Sequence, residues 1–291
     1  MSRLTSFALI GSSGYFGSFV VSAFAQAVSR QPTIIVLSRN PESKKYPSGV
    51  KVVRVDDYED VDAIAKIFVE HQIDAVVSTV GYAGITVQKR MADAAKKAGV
   101  KLFAPSEFGS PTDDAPDEYP DFQEKDEVAK YIEAIGLPCA RFYNGAFINS
   151  GLFSVTGVRV NGKVNVIGRG QSPVSFTLEE DVAGFVAYVL TSLTLNSLSN
   201  KIFRLEGDRA SLVELANWYG KEVSHVEEIP GRRGPSEILS MLAKVFEAGA
   251  CSTGWNFKLG RDGEGEDAAG SANKIWQGHQ WKAIRDVIMK L

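Results

Sequence analysis

Hydrophobic and polar positions change period repeatedly over the first half of the chain. Residues 7–10 form an unbroken apolar run, Gly11, Gly14 and Gly17 follow, and a small-residue apolar stretch over 16–28 has the length and composition of a helix. A short, continuous apolar run bounded by glycine reads as a strand buried on both faces. Further runs of this kind occur at 33–37, 50–55, 73–79, 100–103 and 137–142. Between them, 60–70 and 86–98 read as helices, the second closed by Gly99 in the C-cap position. Strands and helices alternating at this spacing predict an α/β fold with a doubly wound parallel sheet, its ligands bound at the carboxyl ends of the strands.

A strand running into a GxxGxxG spacing and then a helix is the context in which a dinucleotide site forms in a Rossmann-type fold. Gly11 can make the tight turn, Gly14 can admit backbone N–H groups to a pyrophosphate, and Gly17 can let helix and strand pack closely. The positive end of the helix then faces the phosphates. The plainer alternative is a glycine-bearing turn with no ligand. The second strand ends at Ser38-Arg39-Asn40. A site for NAD offers a carboxylate there, for the ribose 2′-hydroxyl. This chain offers a hydroxyl and a guanidinium, which can fork onto a 2′-phosphate, so the expectation is NADP(H). A solvated arginine at a strand end is the alternative. Arg3, Lys44 and Lys45 can assist, with nothing to single one out. Asp56-Asp57-Tyr58, after the third strand, can border an adenine or supply the N-cap of the 60–70 helix.

Size and charge narrow the class. The 291 residues suit a core plus a smaller lobe. The division expected is a dinucleotide-binding domain over 1–150, with further core elements at about 174–206, and a mainly substrate-binding C-terminal lobe over 151–291. A net charge of -3 gives no electrostatic basis for binding nucleic acid or an anionic membrane. Cys139 and Cys251 make no disulfide framework, and a reducing compartment is expected. No run approaches the roughly 18 apolar residues of a spanning helix and no signal peptide opens the chain, so a cytoplasmic location is expected. His71, His225, His279 and the two cysteines lack metal-ligand spacing, so no metal is expected.

The fifth run opens onto APSEFG at 104–109, and FQEK follows at 122–125. Together with the glycine spacing and the arginine after the second strand, these motifs resemble the NmrA-like and isoflavone reductase families, atypical short-chain dehydrogenases. The resemblance is strong over 5–150, extends to about 190 through TLEEDVAGFVAYVL, and fades afterwards. It implies NADPH/NADP+ as cofactor, held by Gly11, Ser13, Gly14, Tyr15, Phe16, Gly17, Ser38, Arg39 and Asp57. Val80, Gly81, Pro105, Ser106, Glu107, Lys125 and Asn144 would complete the cofactor site, with the nicotinamide near the fifth strand and the FQEK helix. Tyr82, Phe108, Phe147 and Phe153 are implied on the substrate side.

The ordinary short-chain pair, a tyrosine with a lysine four positions later, is missing at all nine tyrosines. The resemblance instead implies Lys125 as general acid or base. A lysine partly desolvated beside a cationic nicotinamide favours its neutral form, which lowers its pKa toward the working pH. Its neighbours, QEKDE, are equally those of a solvated helix face. Phe122, one turn earlier, would bury that side of the helix against the sheet. Tyr143 is a candidate proton donor or a pocket wall. Asn144 is a candidate to bind a carboxamide or orient a substrate carbonyl, or simply a turn residue. Cys139, inside an apolar strand, reads as inert.

Past residue 150 the texture changes. The stretch 151–170 is glycine-rich with short β-like pieces, GVRVNG and KVNVIG. Thr177 to Glu180 has the pattern of a capping box opening a helix to about residue 190, with Asp181 tethering that helix to the dinucleotide domain. Strands are expected over 201–205 and 224–229, and Ser211 to Glu214 forms a second capping pattern. Arg232-Arg233 reads as a solvated turn, and the polar, glycine-rich stretch 260–271 as a mobile loop. A terminal helix is expected over 279–291, with Trp281, Ile284, Ile288 and Leu291 on one face.

The expected function is an NADPH-dependent reductase, monomer or homodimer, that passes a hydride to a small molecule. The resemblance implies an aromatic or polyketide-like carbonyl, enone or benzylic-ether substrate. A second class is an NADP(H)-sensing regulator that docks on a protein partner without turnover, and a third is a redox-neutral isomerase or cyclase. Retention of Lys125 favours the reductase.

Overall fold

In the computed structural model, which describes residues 3–27, 32–230 and 237–289, the first five apolar runs become one parallel sheet. Its strands are β1 (Ser6–Ile10), β2 (Thr33–Ser38), β3 (Val50–Arg54), β4 (Ala75–Ser78) and β5 (Leu102–Ala104), in the order β3-β2-β1-β4-β5. Phe7 on the central strand stands opposite Ile34 on one side and Ala75 on the other. All five residues of β1 are buried, as an apolar run covered on both faces requires. The helices are α1 (Tyr15–Ala25), α2 (Val61–Glu70), α3 (Val87–Lys97) and α4 (Pro120–Ala134). Ile64, Phe68, Met91, Ala95, Val128 and Ile132, from α2, α3 and α4, join Ile35, Val76 and Phe103 of the sheet in one buried cluster. The reversal of strand order beside β1 places a crevice at its carboxyl end.

The turn leaving β1 is the tightest place in the sheet. Gly11 has φ +77°, and a Cβ there would lie 2.6 Å from the Thr79 carbonyl carbon. A Cβ on Gly17 would lie 2.7 Å from Thr79 Oγ1 and 2.8 Å from Ser12 Cα, and would strike the Gly11 carbonyl. Thr79 Oγ1 in turn donates to the Ile10 carbonyl at 2.8 Å. The roles read from the sequence for Gly11 and Gly17 are the ones seen. Two details differ nearby. The cap of α2 is Asp60, whose Oδ1 accepts the Ala63 N–H at 2.9 Å, whereas Asp57 Oδ1 accepts the Glu59 N–H at 2.8 Å. The α1 helix ends at Ala25, and Val28 lies outside the described residues.

The sixth run becomes β6 (Ala140–Tyr143), which follows a parallel bridge between Phe103 and Cys139 and pairs with a later strand, β10 (Lys201–Arg204). The described chain divides into two compact units. One comprises Met1–Glu107, Pro120–Phe142 and Ala183–Phe203, and the other Phe108–Tyr119, Tyr143–Val182 and Arg204–Leu291. In the second unit β9 (Val174–Thr177) runs parallel to β7 (Ala146–Phe147) and antiparallel to β11 (Asp208–Ala210). A second parallel pair joins β8 (Val164–Val166) to β12 (Val223–His225), and β13 (Trp255–Asn256) and β14 (Arg261–Asp262) pair antiparallel. The remaining helices are α5 (Gly151–Thr156), α6 (Val158–Asn161), α7 (Glu179–Ser192), α8 (Leu195–Leu198), α9 (Leu212–Trp218), α10 (Glu237–Glu247) and α11 (Ile284–Val287).

Several local expectations for the second unit are overturned by longer-range partners. GVRVNG is helical, not β-like: Gly157 and Gly162, at φ +59° and +77°, close a short turn of helix at each end. The strand expected over 224–229 stops at His225. Thr177 caps no helix, because it ends β9 and its hydroxyl donates to the Asn144 carbonyl at 2.8 Å. Glu179 turns back to accept the Asn149 and Ser150 N–H groups at 3.2 and 2.9 Å. Asp181 holds the C-terminal segment: its Oδ1 is 3.0 Å from His279 Nε2 and its Oδ2 accepts the Lys282 N–H at 2.9 Å. That tie shortens the expected terminal helix to α11, whose Ile284 N–H is taken by Asp208 at 2.9 Å. The stretch 260–271 is tied down too, Asp262 accepting from Ser252 at 2.8 Å and from Arg209 at 3.1 Å, and Asp267 from Arg204 at 3.2 Å. The Ser211–Glu214 capping box forms as expected. Arg232, Arg233 and Leu291 lie outside the described residues.

Gly17→Ala is expected to cost about 1–3 kcal/mol, the range for forcing an extra methyl group into a packed site. Urea unfolding monitored by circular dichroism measures it. An unchanged midpoint would show that α1 can move away from the Gly11 turn.

Candidate cofactor and reaction site

A cleft of about 650 Å³ opens at the carboxyl ends of β1, β2 and β4. Of the residues expected to hold a cofactor, Gly11, Ser13, Gly14, Ser38, Arg39, Asp57, Val80 and Gly81 line it. Tyr15, Phe16, Gly17, Pro105, Ser106, Glu107 and Lys125 do not, although all belong to the same unit. At the glycine turn, α1 begins at Gly14 with no side-chain cap and no acidic residue in its first turn. Its positive end is therefore left uncompensated by the chain itself. Beside it the Ser12 hydroxyl is buried with no hydrogen-bond partner. A buried hydroxyl without a partner costs free energy, which an anionic acceptor in the cleft would recover. Ser12 was not among the residues expected to bind; its neighbour Ser13 was.

At the end of β2, the exposed Arg39 guanidinium lies 6.0 Å from the centroid of the Tyr58 ring. The Tyr58 hydroxyl donates to the Leu37 carbonyl at 2.9 Å, and burial pushes its pKa up to about 12, Arg39 opposing the shift. Lys44 reaches the glycine turn and donates to the Ser13 carbonyl at 3.4 Å. The structure thus singles out one of the three cations that the sequence left equal. Asp56 is spent on Arg54 at 2.6 Å. Two cations, the Ser38 strand end and an uncapped helix N-terminus fit a dinucleotide carrying an extra phosphate.

The PSEFG segment is stitched to the cleft wall. Ser106 donates through its hydroxyl to the Val80 carbonyl and through its N–H to Gln88 Oε1, both at 2.8 Å. Gln88, on α3, is 1% exposed. Its role was not legible because a single glutamine on a helix reads as surface. Pro120 starts α4 at a position where a missing N–H costs nothing. Phe122 is buried as expected, and Lys125, one turn on, is half-buried. Lys125 Nζ donates to the Glu107 backbone carbonyl at 2.5 Å and lies 5.4 Å from the centroid of the Tyr82 ring. Burial lowers the Lys125 pKa below the usual lysine value; Glu107 and Asp121 oppose the shift and Arg141 adds to it. The Glu107 carboxylate, 1% exposed, pairs with Arg141 Nε at 2.9 Å.

The other expected site residues belong to the second unit. Tyr143 is fully buried, and its hydroxyl donates to Asp113 Oδ2 at 2.7 Å, with Thr112 Oγ1 at 3.3 Å and the Arg204 guanidinium 5.5 Å from its ring centroid. Its hydroxyl proton points at Asp113, and the ring is packed with no exposed surface. Asn144 is fully buried; its Nδ2 donates to the Gly145 carbonyl at 3.0 Å, while its Oδ1 has no partner. Phe147 ends β7, Phe153 carries the Arg159 guanidinium 3.6 Å from its ring centroid, and Phe108 takes a φ of +28°. Burial pushes the Cys251 thiol up to about 12, so it is an inert core residue.

Comparison with known proteins decides the family, since the family model for the NmrA-like family matches residues 5–243. The chain belongs to the NmrA-like family. Within it, the chain stands with oxidoreductases of the isoflavone reductase type. It is 30% identical to phenylcoumaran benzylic ether reductase POP1 of Populus trichocarpa over 240 residues, 75% of each chain. It is 35% identical to oxidoreductase aprR of Aspergillus flavus over 159 residues, 53% of this chain and 52% of that one. Among solved structures, the leucoanthocyanidin reductase–NADPH complex from Vitis vinifera shares the fold at TM-score 0.73 and 21% identity, over 97% of both chains. No helix among the described residues is long and apolar enough to cross a membrane.

Tyr143→Phe is expected to lower stability by about 1–3 kcal/mol, the cost of a lost hydrogen bond to a charged acceptor, and to leave NADPH affinity unchanged. Thermal unfolding and a fluorescence titration separate the two effects. Loss of turnover with no loss of stability would restore Tyr143 as a proton donor.

Proposed function

We propose that the protein is an NADPH-dependent reductase of a small aromatic molecule, with Lys125 as the group that moves the proton. The observation that carries this reading is the Lys125 ammonium, which is half-buried on α4 and donates to a neutral backbone carbonyl. Desolvation favours the neutral amine and so eases the release of the proton from the ammonium. The cofactor supplies the hydride when bound.

The chain's own residues divide the remaining work. Backbone N–H groups at the start of α1, with the Ser12 hydroxyl, take the pyrophosphate. Arg39 forks onto the 2′-phosphate, and Lys44 adds a second cation. Tyr58 offers a flat face beside Arg39 for the adenine. Lys125 exchanges its proton with a substrate oxygen. Asn144, with an unpartnered buried Oδ1, is suited to orient a carboxamide or a substrate hydroxyl. Tyr82, Phe108, Phe147 and Phe153 remain the candidate substrate contacts. The proposed substrate class, a benzylic ether or an aromatic carbonyl or enone, is supported by relatives named phenylcoumaran benzylic ether reductase and isoflavone reductase homolog.

Fluorescence titration of purified protein with NADPH and NADH tests the cofactor reading. The expected result is tight NADPH binding, weak NADH binding, and a loss of about 10- to 100-fold in NADPH affinity alone for Arg39→Ala, the worth of a charge-assisted pair. Lys125→Ala is expected to bind NADPH as the wild type does and to turn over no carbonyl, enone or benzylic-ether substrate. Binding of neither nucleotide would overturn the reading; NADPH binding with full turnover in Lys125→Ala would remove the lysine from it.

A further inference from the structure

Lys125 and Arg141 share one residue, Glu107, but take different parts of it. Arg141 Nε holds the carboxylate at 2.9 Å, while Lys125 Nζ holds the backbone carbonyl at 2.5 Å. The carboxylate is 1% exposed and the Arg141 side chain 11% exposed, so this is a buried ion pair. A carboxylate in such a place demands a counter-charge. Were Arg141 absent, a cation within the carboxylate's field would be the ammonium already bound to the same residue. Lys125 would then be fixed as a charged partner of Glu107, an ammonium that holds its proton more tightly.

We propose that Arg141 is a positioning residue for Lys125: by clamping the Glu107 carboxylate it reserves the Glu107 carbonyl for the lysine and keeps the carboxylate's charge from locking the ammonium in place. The proposal rests on the reading of Lys125 as the proton-transferring group. The other groups facing Lys125 are Asp121, one turn earlier on α4, and the Tyr82 ring. Asp121 acts in the same sense as Glu107, and Tyr82 presents its π face, which favours the charged form. Arg141 is thus the one named neighbour whose charge works against the ammonium. It does so twice, by its own field and by neutralising Glu107. In the sequence, Arg141 stands inside the apolar run LPCARF, where a buried cation needs a partner supplied from elsewhere in the fold.

The test reads Lys125 directly and needs neither cofactor nor substrate. The full chain is trace-acetylated with acetic anhydride across a pH series, and the peptides carrying Lys125 and Lys130 are quantified by mass spectrometry. Lys130, exposed on the same helix and ion-paired with Asp126 at 2.7 Å, serves as internal reference. In the wild type, Lys125 is expected to label with a midpoint below that of Lys130. Arg141→Met should raise the Lys125 midpoint toward the reference, Arg141→Lys should leave it near the wild-type value, and Glu107→Gln should lower it. An unmoved or lowered midpoint in a folded Arg141→Met protein overturns the proposal. If that variant does not fold, Glu107→Gln decides, and a midpoint that fails to fall overturns it. The reductase reading fails separately, on NADPH binding and on turnover in Lys125→Ala.

Discussion

The first unit depends on one close approach of backbone to backbone. At the end of β1 the chain turns through Gly11 directly against the Thr79 peptide, and α1 then passes back over the same turn at Gly17. No side chain separates these segments, because no side chain fits. The sheet's central strand, its neighbour β4 and the first helix are thereby held at a single point, with Thr79 Oγ1 fastened to the Ile10 carbonyl. The consequence is electrostatic as well as steric. Helix α1 is brought to the cleft with its first turn uncapped and free of acidic side chains, and the anion-attracting end of the helix is aimed by packing rather than by any binding residue.

The same economy explains which features could be read from the sequence. Backbone constraint leaves a strong sequence trace: a glycine spacing after an apolar run, or an arginine in place of an acid after the second strand. The parallel sheet was legible for that reason, as was the gathering of Gly11, Gly14 and Arg39 along one cleft. Ser12, Lys44 and Gln88 were not. Lys44 and Gln88 take their meaning from one distant partner each, Ser12 from burial without one, and nothing local distinguishes a serine with a buried hydroxyl from a serine in solvent. Ser106 shows the intermediate case, since the motif around it was recognisable while its two fixings, to Val80 and Gln88, were not.

The second unit was read poorly, and the errors share a cause. Its elements are short, and local patterns there are overruled by long-range hydrogen bonds. A capping pattern at Thr177 gives way to a strand end and a bond to Asn144; a helical repeat after His279 gives way to Asp181 and Asp208. The box at Ser211 survives because its two partners are three residues apart and need no help from the rest of the fold. Propensity decides where both partners are local, and burial decides elsewhere.

The contrast bears on where specificity resides. The cleft lies at strand ends within one sheet, beside a turn at Gly11 that admits no side chain without disturbing the fold. The lysine depends on a different kind of support. Its helix begins at Pro120, immediately after the segment Phe108–Tyr119, and that segment belongs to the second unit, held there by Tyr143 on Asp113 and by Lys258 on Asp114 at 2.8 Å. Lys125 itself is fixed to Glu107, the last residue before that excursion. The chain leaves the first unit at the lysine's acceptor and returns to it at the lysine's helix. Substitutions in the intervening segment can therefore alter the second unit while both ends of the lysine's support stay anchored in the first.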